Sequence, residues 1–191
     1  MKIIHVTDTH FIPAGQTLYG RDPATALERC IADINRNHPD AERCVITGDL
    51  THWGEPEAFD HLKQHLDQLK VPLRLLVGNH DNRDIFRQRF GDHPCDENGF
   101  IQSVEDLPVG RFIYLDTNKP GHHEGWYCEQ RMQWLEEQFA AAKGKDLYLF
   151  MHHPPFDIGI PALDRISLVQ KGAFSEVVKP YRDQIRHLFF G

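Results

Sequence analysis

Positive charge is in short supply. In 191 residues, 21 Lys and Arg stand against 28 Asp and Glu, a formal net charge of −7. A nucleic-acid polymer or an anionic membrane calls for a basic face, so this balance argues against both as main partners and suits a chain that holds cations. Long apolar runs are missing as well. None approaches the roughly 20 residues of a membrane helix, and the amino end "MKIIHVTDTH" is too brief for a secretory signal. Cysteine is sparse: Cys30, Cys44, Cys95 and Cys128 form no Cys-x-x-Cys pair, which argues against a zinc knuckle or a redox dithiol. Cys30 and Cys44 sit in apolar patterns and read as small core residues. A reducing cytoplasm is therefore expected in place of a disulfide framework. Repeats of solenoid length, low-complexity tracts and linkers are absent too. One domain over residues 1–191 is expected, long enough to bury roughly 70% of its unfolded surface.

What is there is an alternation of apolar strands and amphipathic helices. Strands are expected at Lys2–Thr7, Arg43–Thr47, Leu73–Val77, Phe100–Val104, Arg111–Leu115, Leu147–Met151 and Ile185–Phe190. Asp22-Pro23 starts a helix, with Asp as cap and Pro in the first turn. Leu27, Cys30, Ile31 and Ile34 follow at helical spacing, and His38-Pro39 ends it. Further helices are expected over 56–70, 84–90 and 129–142. Strands that are apolar throughout and separated by helices indicate βαβ units with helices covering the sheet. The pair at 100–115 breaks the alternation, which points to a mixed sheet or two stacked sheets.

Histidine is abundant, at thirteen, and several lie where apolar runs end. "IIHV" runs into Asp8-Thr9-His10, "CVIT" into Gly48-Asp49, "LLV" into Gly78-Asn79-His80-Asp81, and "LYLF" into Met151-His152-His153. In α/β sheets, ligands bind beyond the carboxyl ends of strands, so these clusters can converge. Carboxylate, imidazole and amide oxygen together suit Mn, Fe or Zn. In an extended strand end, Asp8 and His10 point the same way. Asp49 has two oxygens and can bridge two cations, and Gly48 permits the tight turn that projects it. Alone, each cluster is a commonplace cap or turn; order, spacing and position together set them apart. His5 is expected as a hydrogen-bonded histidine, in the core or behind the metal ligands, His61 and His65 as the polar face of their helix, and His122-His123 as solvent-exposed.

Asp-x-His, Gly-Asp, Gly-Asn-His-Asp and His-x-Pro, in that order, resemble the calcineurin-like metallophosphoesterases over the whole chain. "DTHF" with "LYG", "GDLTHWGEP" and "MHHPP" resemble the bacterial cyclic-nucleotide and glycerophosphodiester phosphodiesterases. The resemblance implies a four-layer α/β/β/α sandwich and two divalent metal ions. It implies Asp8 and His10 on the first metal, Asp49 as the bridge, and Asn79 and His152 on the second. His80 then contacts the phosphate or assists the leaving group. That family's last motif, Gly-His-x-His, follows a strand and gives each metal one more imidazole. Here the strand "RHLFF" runs into Gly191, so the fold is expected to be C-terminally incomplete, with Gly191 as the first letter of the motif.

The expected function is hydrolysis of small phosphodiesters by a hydroxide between two metals. Asn79 and His80 are expected to meet the substrate, Asp81 to orient His80, and His153 to stand behind the metal ligands. A scaffold domain with little turnover, and a phosphomonoesterase or protein phosphatase, are the alternatives. Homo-oligomerisation is left open.

Overall fold

The computed structural model describes residues 1–191. Its elements run β1 (Ile3–Val6), α1 (Pro23–Asn37), β2 (Arg43–Ile46), α2 (Pro56–Leu66), β3 (Leu73–Leu75), α3 (Arg83–Arg89), β4 (Ser103–Leu107), β5 (Gly110–Tyr114), α4 (Glu129–Ala141), β6 (Leu147–Phe150), α5 (Pro161–Asp164), α6 (Lys171–Val178), a 3₁₀ turn (Lys179–Tyr181) and β7 (Ile185–Phe189). They form two sheets. The first is parallel, in the order β1-β2-β3; the second is β4-β5-β6-β7, parallel apart from the β4–β5 hairpin.

Side-chain alternation makes this a four-layer α/β/β/α sandwich. Along β2, Cys44 and Ile46 face the helices, Ile46 meeting Leu27, Ile31, Phe59 and Leu62. Val45 between them turns the other way and joins Leu76, Phe112, Tyr114, Tyr148 and Phe150 in the layer between the sheets. On β5 and β6, Ile113, Leu147 and Leu149 face Met132, Leu135 and Phe139 of α4 and Phe174 of α6. Strands buried on both faces read as continuous apolar runs for this reason. Each fully buried aromatic or aliphatic side chain of the middle layer contributes roughly 1.5–3 kcal/mol.

Local signals act as expected in several places. The Asp22 side chain accepts from the Ala24 N–H at 3.0 Å and caps α1. Asn82 caps α3 in the same way, accepting from Asp84 and Ile85 at 3.1 and 3.2 Å. Elsewhere the elements differ from expectation. The helix expected over 56–70 stops at Leu66. The strand expected at Phe100–Val104 lies instead at Ser103–Leu107, because Phe100 and Ile101 give their N–H groups to the carboxylates of Asp96 and Asp116 (2.8 and 2.9 Å), not to a ladder. α5 and α6 fall in a stretch to which no helix was assigned from sequence. All four cysteines are free, and no helix is long and apolar enough to cross a membrane.

Candidate active site

β1, β2 and β3 of the first sheet and β6 and β7 of the second all deliver their carboxyl ends to one place. There Asp8, His10, Asp49, Asn79, His80, His123, His152 and Gly191 line a cavity of about 200 Å³. The backbone is forced into position. Asp8, His10 and Asp49 have φ of 56°, 44° and 48°, left-handed values that cost an L residue about 1–3 kcal/mol each. This corrects the expectation of an extended strand end at Asp8-x-His10. β1 stops at Val6, and left-handed turns aim the two side chains. Gly48 has φ 114°. A Cβ there would stand 2.7 Å from the Gly78 nitrogen and 2.8 Å from His152 Nδ1, so only glycine lets the strand ends close up. Gly78 is as restricted, since its Cβ would meet Asp49 Oδ1 at 2.2 Å.

The donor atoms fall into two sets that share Asp49. Asp49 Oδ2 lies 3.7 Å from His10 Nε2, which lies 3.5 Å from Asp8 Oδ1. Asp49 Oδ1 lies 3.4 Å from His152 Nε2, which lies 3.3 Å from Asn79 Oδ1. The tautomer of His152 is fixed from behind: its Nδ1–H donates to the Thr47 carbonyl at 3.0 Å. A neutral His152 therefore points a bare lone pair at two further acceptors. Three acceptors facing one another without a proton repel, and a cation resolves the arrangement; imidazoles oriented through the other ring nitrogen are a regular feature of metal sites. Asp8, Asp49 and His152 also offer oxygen and nitrogen atoms within 4.8 Å of one another. The residues present thus fit divalent metal.

Electrostatics follow the geometry. Burial opposes charge on His10, yet Asp8, Asp49 and Asp81 together raise its pKa. Asp8 is also held against burial, which would raise its pKa; hydrogen bonds from His10 and Thr7 bring it below the ordinary value. His10 Nδ1 meets His52 Nδ1 at 3.2 Å. His52 is buried among His80 and His10, and burial together with those neighbours lowers its pKa.

His80 faces the cavity from one side. Its Nδ1–H donates to the His52 carbonyl at 2.7 Å, which leaves Nε2 toward the cavity, 4.0 Å from Asp49 Oδ2. This corrects the expected role of Asp81, whose carboxylate does not orient the ring. Asp81 instead accepts from the N–H groups of Leu50, Thr51 and Gly78 at 3.0, 2.9 and 2.9 Å, and from the Thr51 hydroxyl at 2.9 Å. It ties the turn after Asp49 to the turn before Asn79. Burial and the Asp49 charge push its pKa up to about 6, against the pull of those donors.

Other histidines sort plainly. His5 makes the expected hydrogen bond, to the Thr47 hydroxyl at 2.8 Å, but it is half-buried on β1 and not part of the core. His61 and His65 turn their Nδ1 atoms to the carbonyls of Ile12 and His61, so they do not present a ligand pair. His153 is buried, between the Thr117 hydroxyl (2.7 Å) and the His123 carbonyl (3.1 Å), and burial drives its pKa well below the ordinary value. His122 is exposed and pairs with Glu124 at 3.0 Å. His123 is exposed, as expected, and from the solvent side lines the cavity with Nδ1 3.4 Å from Asn79 Nδ2.

Sequence reading missed two supports. Asn118 donates to the Gly78 and Asp81 carbonyls at 2.6 and 3.2 Å, holding the Asn79 turn from the second sheet. Asp116, fully buried, takes Arg83 through two bonds of 2.7 and 2.9 Å. Both sit in "LDTN", a polar burst after the apolar β5, which is the same signal that marked the other four strand ends. His52 was missed because its partner, His10, is 42 positions away.

Known proteins match most or all of the chain. It is 42% identical over 194 positions to a probable cyclic nucleotide phosphodiesterase of Rhodopseudomonas palustris, covering 100% of this chain and 70% of that protein. It is 32% identical to a glycerophosphodiester phosphodiesterase of Enterobacter lignolyticus, covering 87% and 62%. A probable enzyme of that second kind from Arcobacter nitrofigilis is 36% identical, with 61% of its length covered. The chain thus spans between 61% and 70% of the length of these relatives. Its fold superposes on a purple acid phosphatase of yellow lupin with a TM-score of 0.71 at 15% identity, over 99% of this chain and 37% of that one. The calcineurin-like phosphoesterase profile matches residues 1–188, and the chain belongs to that family.

Proposed function

We propose that this chain hydrolyses small phosphodiesters, of the cyclic-nucleotide or glycerophosphodiester type, with two divalent metal ions drawn from Mn, Fe or Zn. The observation that carries the reading is the pair of donor sets sharing Asp49. Asp8, His10 and Asp49 would hold one ion, and Asp49, Asn79 and His152 the other. When bound, such ions lower the pKa of water from ~15.7 toward ~7 and neutralise charge on phosphoryl oxygens. The remaining work belongs to side chains. Asp49 fixes the spacing of the two sets. His80 holds its Nδ1 proton on a carbonyl, so only its imidazolium form can present an N–H from Nε2. That N–H serves a phosphoryl oxygen or the leaving oxygen. A general acid of this kind is worth on the order of 10²- to 10⁴-fold in rate. Asp81 acts by position, keeping the Asp49 and Asn79 turns together. Four free cysteines support a reducing cytoplasm, and the net charge supports a small substrate over a polyanion.

The test is metal content by elemental analysis, with turnover of an aryl phosphodiester beside the matching monoester. Two metals per chain and faster diester cleavage are expected. Metal without turnover would indicate a scaffold domain, and faster monoester cleavage a phosphomonoesterase.

A further inference from the structure

Beyond His80 lies a second cavity, of about 280 Å³, bordered by Trp53, His80, Asn82, Asp84, Pro120 and Gly121. His80 is common to both cavities, so a diester cleaved at the metal-donor cluster has room on this side for its organic arm. Trp53 is 66% exposed, an unusual state for so large an apolar ring. It does not float. Its neighbour His52 is buried, offers its carbonyl to His80, and packs its ring edge-on against the indole at 4.2 Å. On the other side, Gly54 (φ 72°) leaves only 3.0 Å between a notional Cβ and the Asn82 backbone nitrogen. The tryptophan is thus exposed on a backbone anchored at both ends. Tyr19, 85% exposed and held at φ 50°, approaches the same His52 ring at 5.8 Å.

The charges bordering the cavity limit its occupant. Arg83 is engaged with Asp116, and Asp84 carries a carboxylate, so a second phosphate or another anion is disfavoured. Trp53 is the one large aromatic face on the cavity, whose wall also carries the His80 imidazole and the small residues Pro120 and Gly121. A quaternary ammonium is recognised by aromatic faces on several sides, which this cavity lacks; a flat ring needs one face and polar groups at its edge. Asn82 has its carbonyl oxygen committed to capping α3, and its amide nitrogen remains as a donor.

We infer that Trp53 is a specificity-determining residue that stacks the nucleobase of a cyclic-nucleotide substrate in the cavity beyond His80. The inference rests on the phosphodiesterase reading and narrows it. The experiment compares the metal-loaded parent, Trp53→Phe and Trp53→Ala on cyclic AMP, glycerophosphoethanolamine and glycerophosphocholine, with circular dichroism to confirm folding. One stacked base is worth ~1–3 kcal/mol, so Trp53→Ala is expected to raise KM for cyclic AMP about tenfold, with kcat changing far less and Trp53→Phe recovering most of the loss. KM for glycerophosphoethanolamine is expected to stay within about twofold, having no ring to stack. An unchanged KM for cyclic AMP, or a rise as large on glycerophosphocholine, overturns the inference; the latter would assign the tryptophan to a cationic arm. If the parent cleaves no diester, the proposed function fails, and the stacking is read separately. Quenching of tryptophan fluorescence by AMP in the metal-loaded parent, lost in Trp53→Ala, sustains the base site. No quenching in the parent removes it.

Discussion

The two donor sets are built differently. Asp8, His10 and Asp49 all come from turns of the first sheet, and all three hold left-handed backbone. Their geometry depends on β1 and β2, which are parallel neighbours with four residues each in register. The other set spans the sandwich. Asn79 follows β3, His152 follows β6, and they meet only because the aromatic layer of Phe112, Tyr114, Tyr148 and Phe150 packs the sheets together. The first set is a property of local turns; the second is a property of tertiary packing. Loosening the sandwich should therefore affect the second while sparing the first.

The largest effect is expected where the sets coincide. Asp49→Ala removes an oxygen from both, so both metals should be lost by elemental analysis and turnover should fall by orders of magnitude. Asp49→Asn keeps the shape and loses the charge, and is expected to lose metal also. Normal occupancy and rate in Asp49→Asn would end the bridging assignment.

His80 belongs to neither set, so His80→Ala should keep both metals. Its kcat is expected to fall by about 10²- to 10⁴-fold with an alkyl leaving group and much less with an aryl one, which needs no proton. Loss of metal in this variant would place His80 among the ligands.

A sharper probe of the comparison is Asn118, which reaches from the second sheet to the Gly78 carbonyl. Asn118→Ala should release the Asn79 turn and weaken the second metal by about 10- to 100-fold, the range seen for outer-shell supports. The first metal should keep its affinity. Equal weakening at both positions, measured by stepwise metal titration, would show that the two sets are one unit.

A further probe concerns Gly191, which donates its N–H to the His152 carbonyl at 2.8 Å and lines the cavity. Residues placed after it start at the wall of the site. A Gly-His-x-His sequence formed by appending His-x-His is expected to add an imidazole to each set, with the larger gain in affinity at the second, whose own donors include one neutral amide. Unchanged affinity and rate would show that these histidines do not enter.

The same contrast explains what the sequence made legible. The ends of β1, β2, β3 and β6 stood out because an apolar run gave way abruptly to Asp, Asn and His. Alternation of strands and helices left a mixed sheet or two stacked sheets open, and the four-layer order came from the family resemblance. What escaped was the cross-talk between distant turns: His52 behind His10, Asn118 beneath the Asn79 turn, and His123 at the rim. The extended reading of Asp8-x-His10 failed for a related reason. Left-handed backbone at non-glycine residues leaves no trace in hydropathy, and it persists only because surrounding contacts determine it. Asp81 was assigned to its sequence neighbour, when its partners are amides 30 and 31 positions away and one three away.

The smallest expected effect lies away from both sets and serves as their control. At the outer edge of the first sheet, the Leu75 N–H donates to His93 Nε2 at 3.1 Å, and His93 Nδ1 lies 3.1 Å from the Pro94 carbonyl. An imidazole that accepts at one nitrogen and donates at the other must be neutral. Burial lowers its pKa to about 4, with Arg74 adding to the shift and the Pro94 carbonyl opposing it. The folded value lies below the ordinary 6.5, so the unfolded chain takes up the proton first. The stabilisation is fully present above about pH 6.5 and is lost as pH falls toward 4. Between pH 7 and 4.5 the loss should be about 2 kcal/mol. Acid also protonates metal ligands, so the measurement is a difference: urea denaturation of metal-free parent and His93→Gln at both pH values. Gln carries an oxygen acceptor and no titrating nitrogen, and the variant should lose about 2 kcal/mol less than the parent over this interval. Parallel losses in the two proteins would mean that His93 does not report on the edge of β3, and that acid sensitivity arises in the donor sets themselves.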